Sequence, residues 1–241
     1  MKNLFDVNSS IPFKISRSRL ERFIECPRCF YLETKRGISR PSTPGFSLNM
    51  AVDALLKKEF DIFRNKNIAH PLMEAYGVKA VPLNHPDMNE WRNNFKGISF
   101  HHKPTNFIIY GAVDDIWQDE KGNLIVVDYK ATSTTKNISL DDPYRQSYKR
   151  QMEIYQWILR QKGFNISNLG YFVYANGEKD KEAFDGRLEF KVELIPYEGD
   201  DSWVEKIIEQ VHDCLIKENI PVSGEDCEYC KYHRQLSEAE K

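Results

Sequence analysis

Apolar side chains recur at helical spacing in several stretches of the 241-residue chain. The clearest stretch runs from about Leu48 to Arg64, where apolar residues lie three or four positions apart and predict an amphipathic helix. The same pattern predicts another helix from Ser202 to Ile216. A further helix should begin near Asp142 and Pro143 and end at Gly163, because Pro is favoured in the first helical turn and Gly just after the last.

Residues 107–130 consist of two β-rich runs around a polar turn, and they predict a β-hairpin. The turn covers residues 119–123. A three-residue loop with Gly122 in the left-handed conformation would pair the two residues that flank the loop. Continuing that register puts Asp114 directly opposite Asp128, with their Cβ atoms about 4.5–5.5 Å apart on one face of the sheet.

The register of this hairpin decides which acid faces Asp128. A two-residue turn would bring Asp115 opposite it; we expect the three-residue loop and therefore Asp114. Strand alternation puts Lys130 on the same face as Asp128. Asp128 also follows the apolar run Leu124–Val127, so it should lie at the end of a buried strand, where an unpaired charge is costly. A cation between the two carboxylates would relieve their repulsion.

Two acids and a lysine in this arrangement are suited to phosphodiester hydrolysis. Carboxylates bind Mg²⁺ or Mn²⁺, and such an ion polarises a phosphoryl oxygen and acidifies a bound water. A nearby ammonium group can orient that water or offset the negative charge that develops. The alternative is a surface hairpin whose charged side chains are simply solvated.

The order of the predicted elements indicates the fold class. Further strands are predicted at Leu169–Ala175 and Arg187–Leu194, so that helices and strands follow one another along the chain. This order predicts an α/β fold with a mixed β-sheet flanked by helices. Residues 66–106 show little periodicity and are expected to be irregular. The length and hydrophobic content of 41% allow one domain over residues 1–241, with residues 1–15 as a loose N-terminal tail.

Composition and charge indicate the cellular location and the binding partners to expect for this chain. No apolar run approaches the roughly 18 residues that a membrane span needs, so we expect a soluble, cytoplasmic protein with no membrane partner. The net charge of −2 counts against nucleic-acid binding. The stretch from Lys14 to Arg40 is locally basic, however, with eight Lys or Arg against three Glu. It could contact a phosphate backbone or be a solvated basic face.

Three short motifs, in this order and spacing, resemble the PD-(D/E)XK nucleases and specifically their RecB-like branch. Gly111 to Asp114 resembles the Gly-x-x-Asp element of that branch, and residues 127–130 resemble its Asp-x-Lys element. Residues 151–155 resemble the Gln-x-x-x-Tyr element on the helix that follows. The resemblance implies a restriction-endonuclease-like core, with a mixed β-sheet flanked by helices.

The resemblance also implies roles for individual residues. Lys130 would position the attacking water beside one or two Mg²⁺ or Mn²⁺ ions. The catalytic set would be Asp114, Asp128 and Lys130. The metal ligands would be Asp114, Asp128, the backbone carbonyl of Tyr129 and Asn49. The contacts with DNA would come from Gln151 and Tyr155.

Asn49 is a departure from the RecB-like pattern. Those nucleases often carry a metal-binding His in a Gly-x-x-x-His pattern, and here the position four residues after Gly45 is Asn49. An amide oxygen binds Mg²⁺ less well than an imidazole or carboxylate binds its preferred ion, so metal affinity or activity should differ. Asp53, one helical turn on, could compensate or be solvated, and Asn49 could instead cap its helix.

The five cysteines form the second group of candidate ligands. Cys26 and Cys29 make one Cys-x-x-Cys pair, and Cys227 and Cys230 make another. Two such pairs in an intracellular chain favour four thiolates around a metal centre over disulfides. Cys214 is left over and is expected to be an inert core thiol. The centre would join the N- and C-terminal regions of the chain and restrict its unfolded ensemble.

Residues 16–36 and 220–235 should therefore form the cysteine-centre region. Zinc and a [4Fe-4S] cluster both accept four cysteines. Resemblance to the iron–sulfur-containing AddB-type and CRISPR-associated nucleases implies the cluster, with zinc as the alternative. Those nucleases have one cysteine before the core and three after it. Here the partition is two and two, because the position of their last cysteine is Leu236, and His233 is expected to be solvent-exposed rather than a ligand.

Together these features lead us to expect a metal-dependent deoxyribonuclease, acting as an exonuclease rather than an endonuclease, in DNA repair, recombination or defence. The alternative is a non-catalytic nucleic-acid-binding module or a structural subunit of a helicase–nuclease complex. The expected partners are DNA that is single-stranded or has free ends, and a helicase or another repair or defence protein.

Overall fold

The computed structural model describes residues 4–42 and 44–241. Within the single domain expected over residues 1–241, the chain divides into two compact units. The central unit comprises Gly45–Ser99 and Gly111–Asp201. The terminal unit comprises Met1–Pro44, Phe100–Tyr110 and Ser202–Lys241. The two candidate sites lie in different units.

Helices and strands are interspersed along the described residues. The helices are α1 (Arg17–Glu25), α2 (Pro27–Arg36), α3 (Ser47–Lys66), α4 (Pro71–Ala75), α5 (Met88–Trp91), α6 (Gln146–Gln161), α7 (Val204–Ile216) and α8 (Glu228–Ala239). The strands are β1 (Phe13–Ser16), β2 (Ala80–Pro82), β3 (Ile98–His102), β4 (Phe107–Gly111), β5 (Asp115–Asp119), β6 (Leu124–Thr132), β7 (Leu169–Gly177) and β8 (Phe190–Glu198). Single 3₁₀ turns cover Lys103–Thr105 and Pro143–Arg145. None of the helices in these ranges is both long and apolar enough to cross a bilayer.

A five-stranded mixed sheet forms the centre of the central unit, in the order β2-β5-β6-β7-β8. Strands β6 and β7 run parallel, and the other neighbours are antiparallel. Helix α3 covers one face with a buried stripe that repeats every fourth residue, namely Val52, Leu56, Phe60 and Arg64. Phe60 stacks on Trp117 and lies against Tyr129 in this core. The predicted α/β class, with mixed β-structure flanked by helices, is confirmed.

Alternation along β6 assigns its side chains to two different environments. Ile125, Val127 and Tyr129 join the core beneath α3. Asp128 and Lys130 project to the opposite face, where α6 supplies their neighbours. The sheet therefore carries an apolar core on one face and charged groups on the other.

A three-stranded sheet has the order β1-β4-β3, and helices α1, α2, α7 and α8 belong to the terminal unit. Strand β1 pairs in parallel with β4, with Phe13 opposite Phe107. Residues 13–15 of the predicted loose tail are therefore in a strand, because Phe13 and Ile15 alternate inward and are buried. Residues 1–3 of that tail lie outside the described residues.

Several elements differ from the sequence-based expectations. The first run of the predicted hairpin divides at residues 112–114, so that β4 pairs in the three-stranded sheet and only β5 pairs with β6. Residues 66–106, expected to be irregular, contain two short helices and two strands. Helix α8 was not predicted. The helix over 48–64 is confirmed as α3.

Asp115 anchors the start of β5 inside the central unit. Its carboxylate is fully buried and accepts hydrogen bonds from Arg64, from Arg92 at 3.1 Å and from the hydroxyl of Tyr129 at 2.8 Å. Both arginines also bind Asp61. These contacts give Asp115 a structural role, and Asp114 remains the acid of this pair that is available to the site.

We expect Asp115→Ala to destabilise the protein by about 3–5 kcal/mol, because Arg64 and Arg92 lose the fully buried carboxylate that both contact and keep only the partly exposed Asp61. Urea unfolding monitored by tryptophan fluorescence measures this change. The matched control is Asp180→Ala on the surface, which should change stability by less than about 0.5 kcal/mol. Equal stability of the two variants would contradict the assigned role.

Candidate active site and cysteine centre

The β5–β6 hairpin has the register that its turn chemistry predicts. Gly122 has φ +83°, and the amide of Gly122 donates to the carbonyl of Asp119 at 3.0 Å. Asp115 lies opposite Val127. The same register, continued by one residue, puts Asp114 across from Asp128. The three-residue loop is confirmed, and the choice of Asp114 over Asp115 as the acid of the site stays a prediction that this register supports.

Asp114 is held between α3 and β6. Its Oδ1 atom accepts a hydrogen bond from Nζ of Lys57 at 3.0 Å, and its Oδ2 atom accepts one from the amide of Tyr129 at 2.9 Å. The same Lys57 ammonium donates to Asp53 at 2.8 Å. Lys57 therefore bridges two carboxylates that would otherwise repel each other.

The pKa values of these groups follow from this arrangement. Burial raises the pKa of Asp114, but the Lys57 and Lys130 ammonium groups and the Tyr129 amide outweigh burial and hold it below its usual value. Burial and the charge of Asp114 raise the pKa of Asp53. Burial lowers the pKa of Lys57, yet both carboxylates act against this and leave it above its usual value. Lys57 therefore stays charged, and Asp53 is the acid that takes up a proton first.

Asp128 and Lys130 form the second part of the site. Asp128 is fully buried, its Oδ2 atom is paired with Nζ of Lys130, and its Oδ1 atom accepts a hydrogen bond from Nε2 of Gln151 at 2.6 Å. The Lys130 ammonium also lies over the ring of Tyr148, 4.5 Å from its centroid. Since α6 supplies both Gln151 and Tyr148, this helix fixes the acid and the amine together.

Gln151 and Tyr155 are buried at this point. They are 9% and 4% exposed, and Nε2 of Gln151 lies 3.4 Å from the hydroxyl of Tyr155. A Cβ atom at Gly111 would come within 2.5 Å of the Tyr155 ring, so only glycine allows this ring to sit there. In the described structure both residues support Asp128, and a direct contact of theirs with DNA stays a prediction.

Tyr129 connects the two parts of the site. Its amide donates to Asp114, while its hydroxyl donates to Asp115 on the core face. The amide and carbonyl of one residue point to the same edge of a strand. The Tyr129 carbonyl therefore points toward the edge where Asp114 lies, beyond the last residue that pairs with β5. Two carboxylates and a carbonyl at one edge are the oxygen donors that Mg²⁺ and Mn²⁺ accept.

Asn49 lies at the rim of the site and does not cap its helix. The N-cap of α3 is Phe46, and Nδ2 of Asn49 donates to the carbonyl of Ala131 at 3.1 Å. Asn49, Asp53 and Lys130 line a small cavity of about 120 Å³. Asn49 thus lies beside the site, and its role as a metal ligand stays a prediction.

The acids of this site do not form a closed cluster. Among the described residues, the four cysteines are the only group of three or more His, Cys, Asp or Glu side chains whose ligand atoms all lie within 4.8 Å of one another. Asp114 and Asp128 each pair with a lysine. Binding of a divalent ion would therefore compete with Lys57 and Lys130 for the carboxylate oxygens.

The motif-based prediction of the site missed Lys57 and Tyr148. Asn49, Asp53 and Lys57 are spaced four apart on α3, so they share one helix face beside the buried stripe. This spacing was visible in the sequence. Its link to Asp114 was not, because the contact joins residues 57 positions apart.

The four-cysteine centre lies in the terminal unit. The Sγ atoms of Cys26 and Cys230 are 3.8 Å apart, and Cys29 lies 3.6 Å from both Cys227 and Cys230. These thiols form no disulfide. A tetrahedron with metal–sulfur bonds of about 2.3 Å has sulfur–sulfur edges of about 3.8 Å, so the spacing fits a single tetrahedral ion such as zinc. The predicted meeting of the two Cys-x-x-Cys pairs is confirmed.

Several N–H groups point at the sulfur atoms. The amides of Gly224 and Cys29 donate to Sγ of Cys26 at 3.3 and 3.5 Å, and Nη2 of Arg40 donates to Sγ of Cys227 at 3.7 Å. Burial raises the pKa of Cys26, but these two amides outweigh it and bring the value to about 7. Burial raises the pKa of Cys230. Burial also raises the pKa of Cys29. The two amides thus favour the thiolate at Cys26, and the thiolate is the form of cysteine that ligates metals.

Comparison with models of known protein families shows which family the chain belongs to. The model of the PD-(D/E)XK nuclease superfamily matches residues 48–235. The chain belongs to the PD-(D/E)XK nuclease superfamily. The matched range includes every candidate residue of the acidic site and also Cys227 and Cys230, whereas Cys26 and Cys29 precede it. Membership supports a metal-dependent, nuclease-like function for the chain.

The assignment rests on the family model alone. Among solved structures, the chain is similar to one titled "Crystal structure of SSO0001", with 18% sequence identity and a TM-score of 0.46. That similarity covers 95% of this chain and 87% of the other. No curated protein matches the chain.

Lys57→Met should raise the pKa values of Asp114 and Asp53, because both carboxylates lose their bridging ammonium. Titration of the carboxyl carbons by NMR measures both values. A lowered carboxyl pKa contributes stability above the unfolded pKa and loses it as pH falls through the folded pKa. The variant should therefore lose part of the pH-dependent stability due to Asp114. Lys58→Met is the matched control on the exposed side of α3, and an unshifted Asp114 in Lys57→Met would contradict the bridge.

Cys26→Ser should abolish metal retention, since the centre loses one of four ligands. Elemental analysis and visible absorption of anaerobically purified protein measure this, with about one zinc or about four irons per chain expected in the unaltered protein. Cys214→Ser is the control and should retain the full amount. Equal metal loss in both variants, or none in either, would refute the four-ligand centre.

Proposed function

We propose that this chain is a DNA nuclease that depends on Mg²⁺ or Mn²⁺ and hydrolyses phosphodiester bonds. The observation that carries the proposal is the grouping of Asp114, the Tyr129 backbone, Asp128 and Lys130 at one end of the β5–β6 pair. This set combines oxygen donors for a hard cation with an ammonium group at the same place. Membership of the PD-(D/E)XK nuclease superfamily supports the same chemistry.

The carboxylates of Asp114 and Asp128 and the carbonyl of Tyr129 would hold the ion, with Asn49 as a further oxygen donor. A bound Mg²⁺ or Mn²⁺ supplies polarisation of a phosphoryl oxygen and lowers the pKa of a water molecule. Lys130 brings a positive charge to the point where negative charge develops on the phosphate, and it can orient the attacking water. Its position depends on Asp128 and on the ring of Tyr148.

Helix α6 keeps these groups in place. Gln151 donates to Asp128 and so fixes one carboxylate oxygen, leaving the other directed at Lys130. Tyr155 packs against Gly111 and lies next to Gln151. We assign both residues to positioning Asp128, and we retain as a proposal that this end of α6 also steadies DNA.

The resemblance of the three sequence motifs to RecB-like nucleases supports a more specific proposal for the substrate and the setting. We place the chain in the RecB-like branch and propose exonucleolytic action on DNA that is single-stranded or has free ends. The proposed setting is DNA repair, recombination or defence, with a helicase or a related protein as partner. For the four cysteines, the resemblance favours a [4Fe-4S] cluster, while the sulfur spacing of 3.6–3.8 Å favours zinc. Metal analysis of the purified protein distinguishes these two.

Lys130→Ala should lower the rate of metal-dependent DNA cleavage by about 100-fold or more, because the charge that offsets the developing negative charge is removed. Cleavage of a labelled single-stranded oligonucleotide in Mn²⁺ measures the rate. Asp128→Ala should give a similar loss. Lys162→Ala, an exposed lysine after α6, is the control and should cleave normally. Unchanged cleavage by purified, folded Lys130→Ala protein rules out this mechanism.

One set of observations favours a second function, a non-catalytic nucleic-acid-binding module. Lys57 and Lys130 already neutralise the carboxylates, and Asn49 donates its amide to Ala131. If these contacts outcompete divalent ions, the protein would bind DNA in Mg²⁺ or Mn²⁺ without forming product. Isothermal titration of Mn²⁺ into the protein distinguishes the two functions, since a catalytic site must bind the ion.

A further inference from the structure

A groove of about 1150 Å³ lies beside the cysteine centre within the terminal unit. Cys29 and Cys230 form part of its wall. Residues of α2, from the N-terminal part of the sequence, and of α8, from its C-terminal part, line the groove. None of the candidate catalytic residues lines this groove, so it is a separate feature from the acidic site. We call it the cysteine-side groove.

The cysteine-side groove carries uncompensated positive charge. Arg28, Arg40 and Arg234 line it, and Glu228 is the acid that lines it. Arg40 is occupied, because it pairs with Glu25 at 2.8 Å. Among the described residues, no acidic side chain forms an ion pair with Arg28 or Arg234. These two guanidinium groups are therefore available to an anion.

Exposed aromatic side chains lie in the same groove. Tyr229 is 41% and Tyr232 is 67% exposed. They are three residues apart on α8 and therefore lie on neighbouring positions of one helix face. The guanidinium of Arg40 lies over the Tyr229 ring, 4.7 Å from its centroid, and so covers one face of that ring. Two adjacent tyrosine rings on a rigid helix are thus presented beside free cations.

We propose that the cysteine-side groove binds single-stranded nucleic acid, with bases stacked on Tyr232 and Tyr229 and phosphates paired with Arg28 and Arg234. Cations that track a backbone, together with aromatic rings that accept bases, are the combination that binds single strands without sequence preference. In a duplex the bases stack on one another and cannot reach these rings. An acidic peptide would use the arginines but would leave both rings without a stacking partner.

The cysteine centre gives the groove its shape. Cys29 belongs to α2, which also carries Arg28, and Cys230 belongs to α8, which carries Tyr232 and Arg234. The two sulfur atoms lie 3.6 Å apart, so a metal ion that they share would fix α2, with Arg28, relative to α8, with Tyr232 and Arg234. The assignment deepens the proposed nuclease function, since it gives the chain a contact with its substrate away from the acidic site.

Binding is tested by fluorescence anisotropy with the metal-loaded 241-residue chain in a Lys130→Ala background, so that the probe stays intact. The probes are labelled oligothymidylate and oligouridylate of about 20 nucleotides, longer than typical single-strand sites of about 4–16 nucleotides. Tyr232→Ala should weaken binding about tenfold, which corresponds to about 1.4 kcal/mol. Arg28→Gln and Arg234→Gln should each reduce the slope of log Kd against log salt by about 0.7.

Two controls match these variants in chemistry. Phe184→Ala and Arg187→Gln remove an exposed ring and an exposed cation from the turn between β7 and β8, and both should bind like the parent protein. Equal metal content in all variants shows that the cysteine centre is intact. The comparison of the two probes tells whether the groove takes DNA, RNA or both. Each of these results supports binding of single-stranded nucleic acid, but binding of oligouridylate alone would contradict its link to the proposed DNA nuclease.

Three results would overturn the proposal. The first is the absence of binding by the parent protein to either probe. The second is binding by the Tyr232 and arginine variants that equals that of the controls. The third is displacement of the probe by polyglutamate at the same concentration of charge, which would mean a general anion patch. The nuclease proposal fails separately, through normal cleavage by Lys130→Ala in an otherwise unaltered chain.

Discussion

The central unit depends on the neutralisation of three carboxylates at the junction of β5 and β6. Asp114, Asp115 and Asp128 lie there, and unpaired charges at such buried positions would shift their pKa values or unfold the sheet. Each acid has its own cation, with arginines for Asp115 and one lysine each for the other two. Asp115 and its arginines are thus a structural contact. The two lysine pairs lie at the edge, where in the proposed nuclease a divalent ion would compete with the ammonium groups.

The sequence predicted those parts of the site that local rules determine. Gly122 in the loop selects the register of the hairpin, and strand alternation assigns Lys130 to the face of Asp128. The contact of Lys57 with Asp114 could not be predicted, because it depends on how α3 packs on the sheet. The same limit applies to Gln151. From the sequence this glutamine is expected on the polar surface of its helix, and its burial against Asp128 depends on tertiary packing.

The first β-rich run of the predicted hairpin forms two strands, β4 and β5, and this division could not be predicted from the sequence pattern. Residues 107–118 read as one β-rich run in the sequence, yet β4 and β5 belong to different sheets. Strand pairing depends on long-range partners, and for β4 these include β1, which pairs with it over four residues. The cysteines are the opposite case. Two Cys-x-x-Cys pairs are recognisable in the sequence without knowledge of the fold, and a shared metal centre is a chemical reason for them to meet. The pattern correctly predicted that the two pairs lie together.

The sequence separation of the cysteines has a consequence during synthesis on the ribosome. Cys29 and Cys227 are 198 positions apart, so at about 5–20 residues per second the first pair must wait roughly 10–40 seconds for its partners. In that interval Cys26 and Cys29 are an open dithiol that oxidants or the wrong metal can reach. Closure of the centre is thus a late event of biogenesis, and the sheet that carries the acids can form before it.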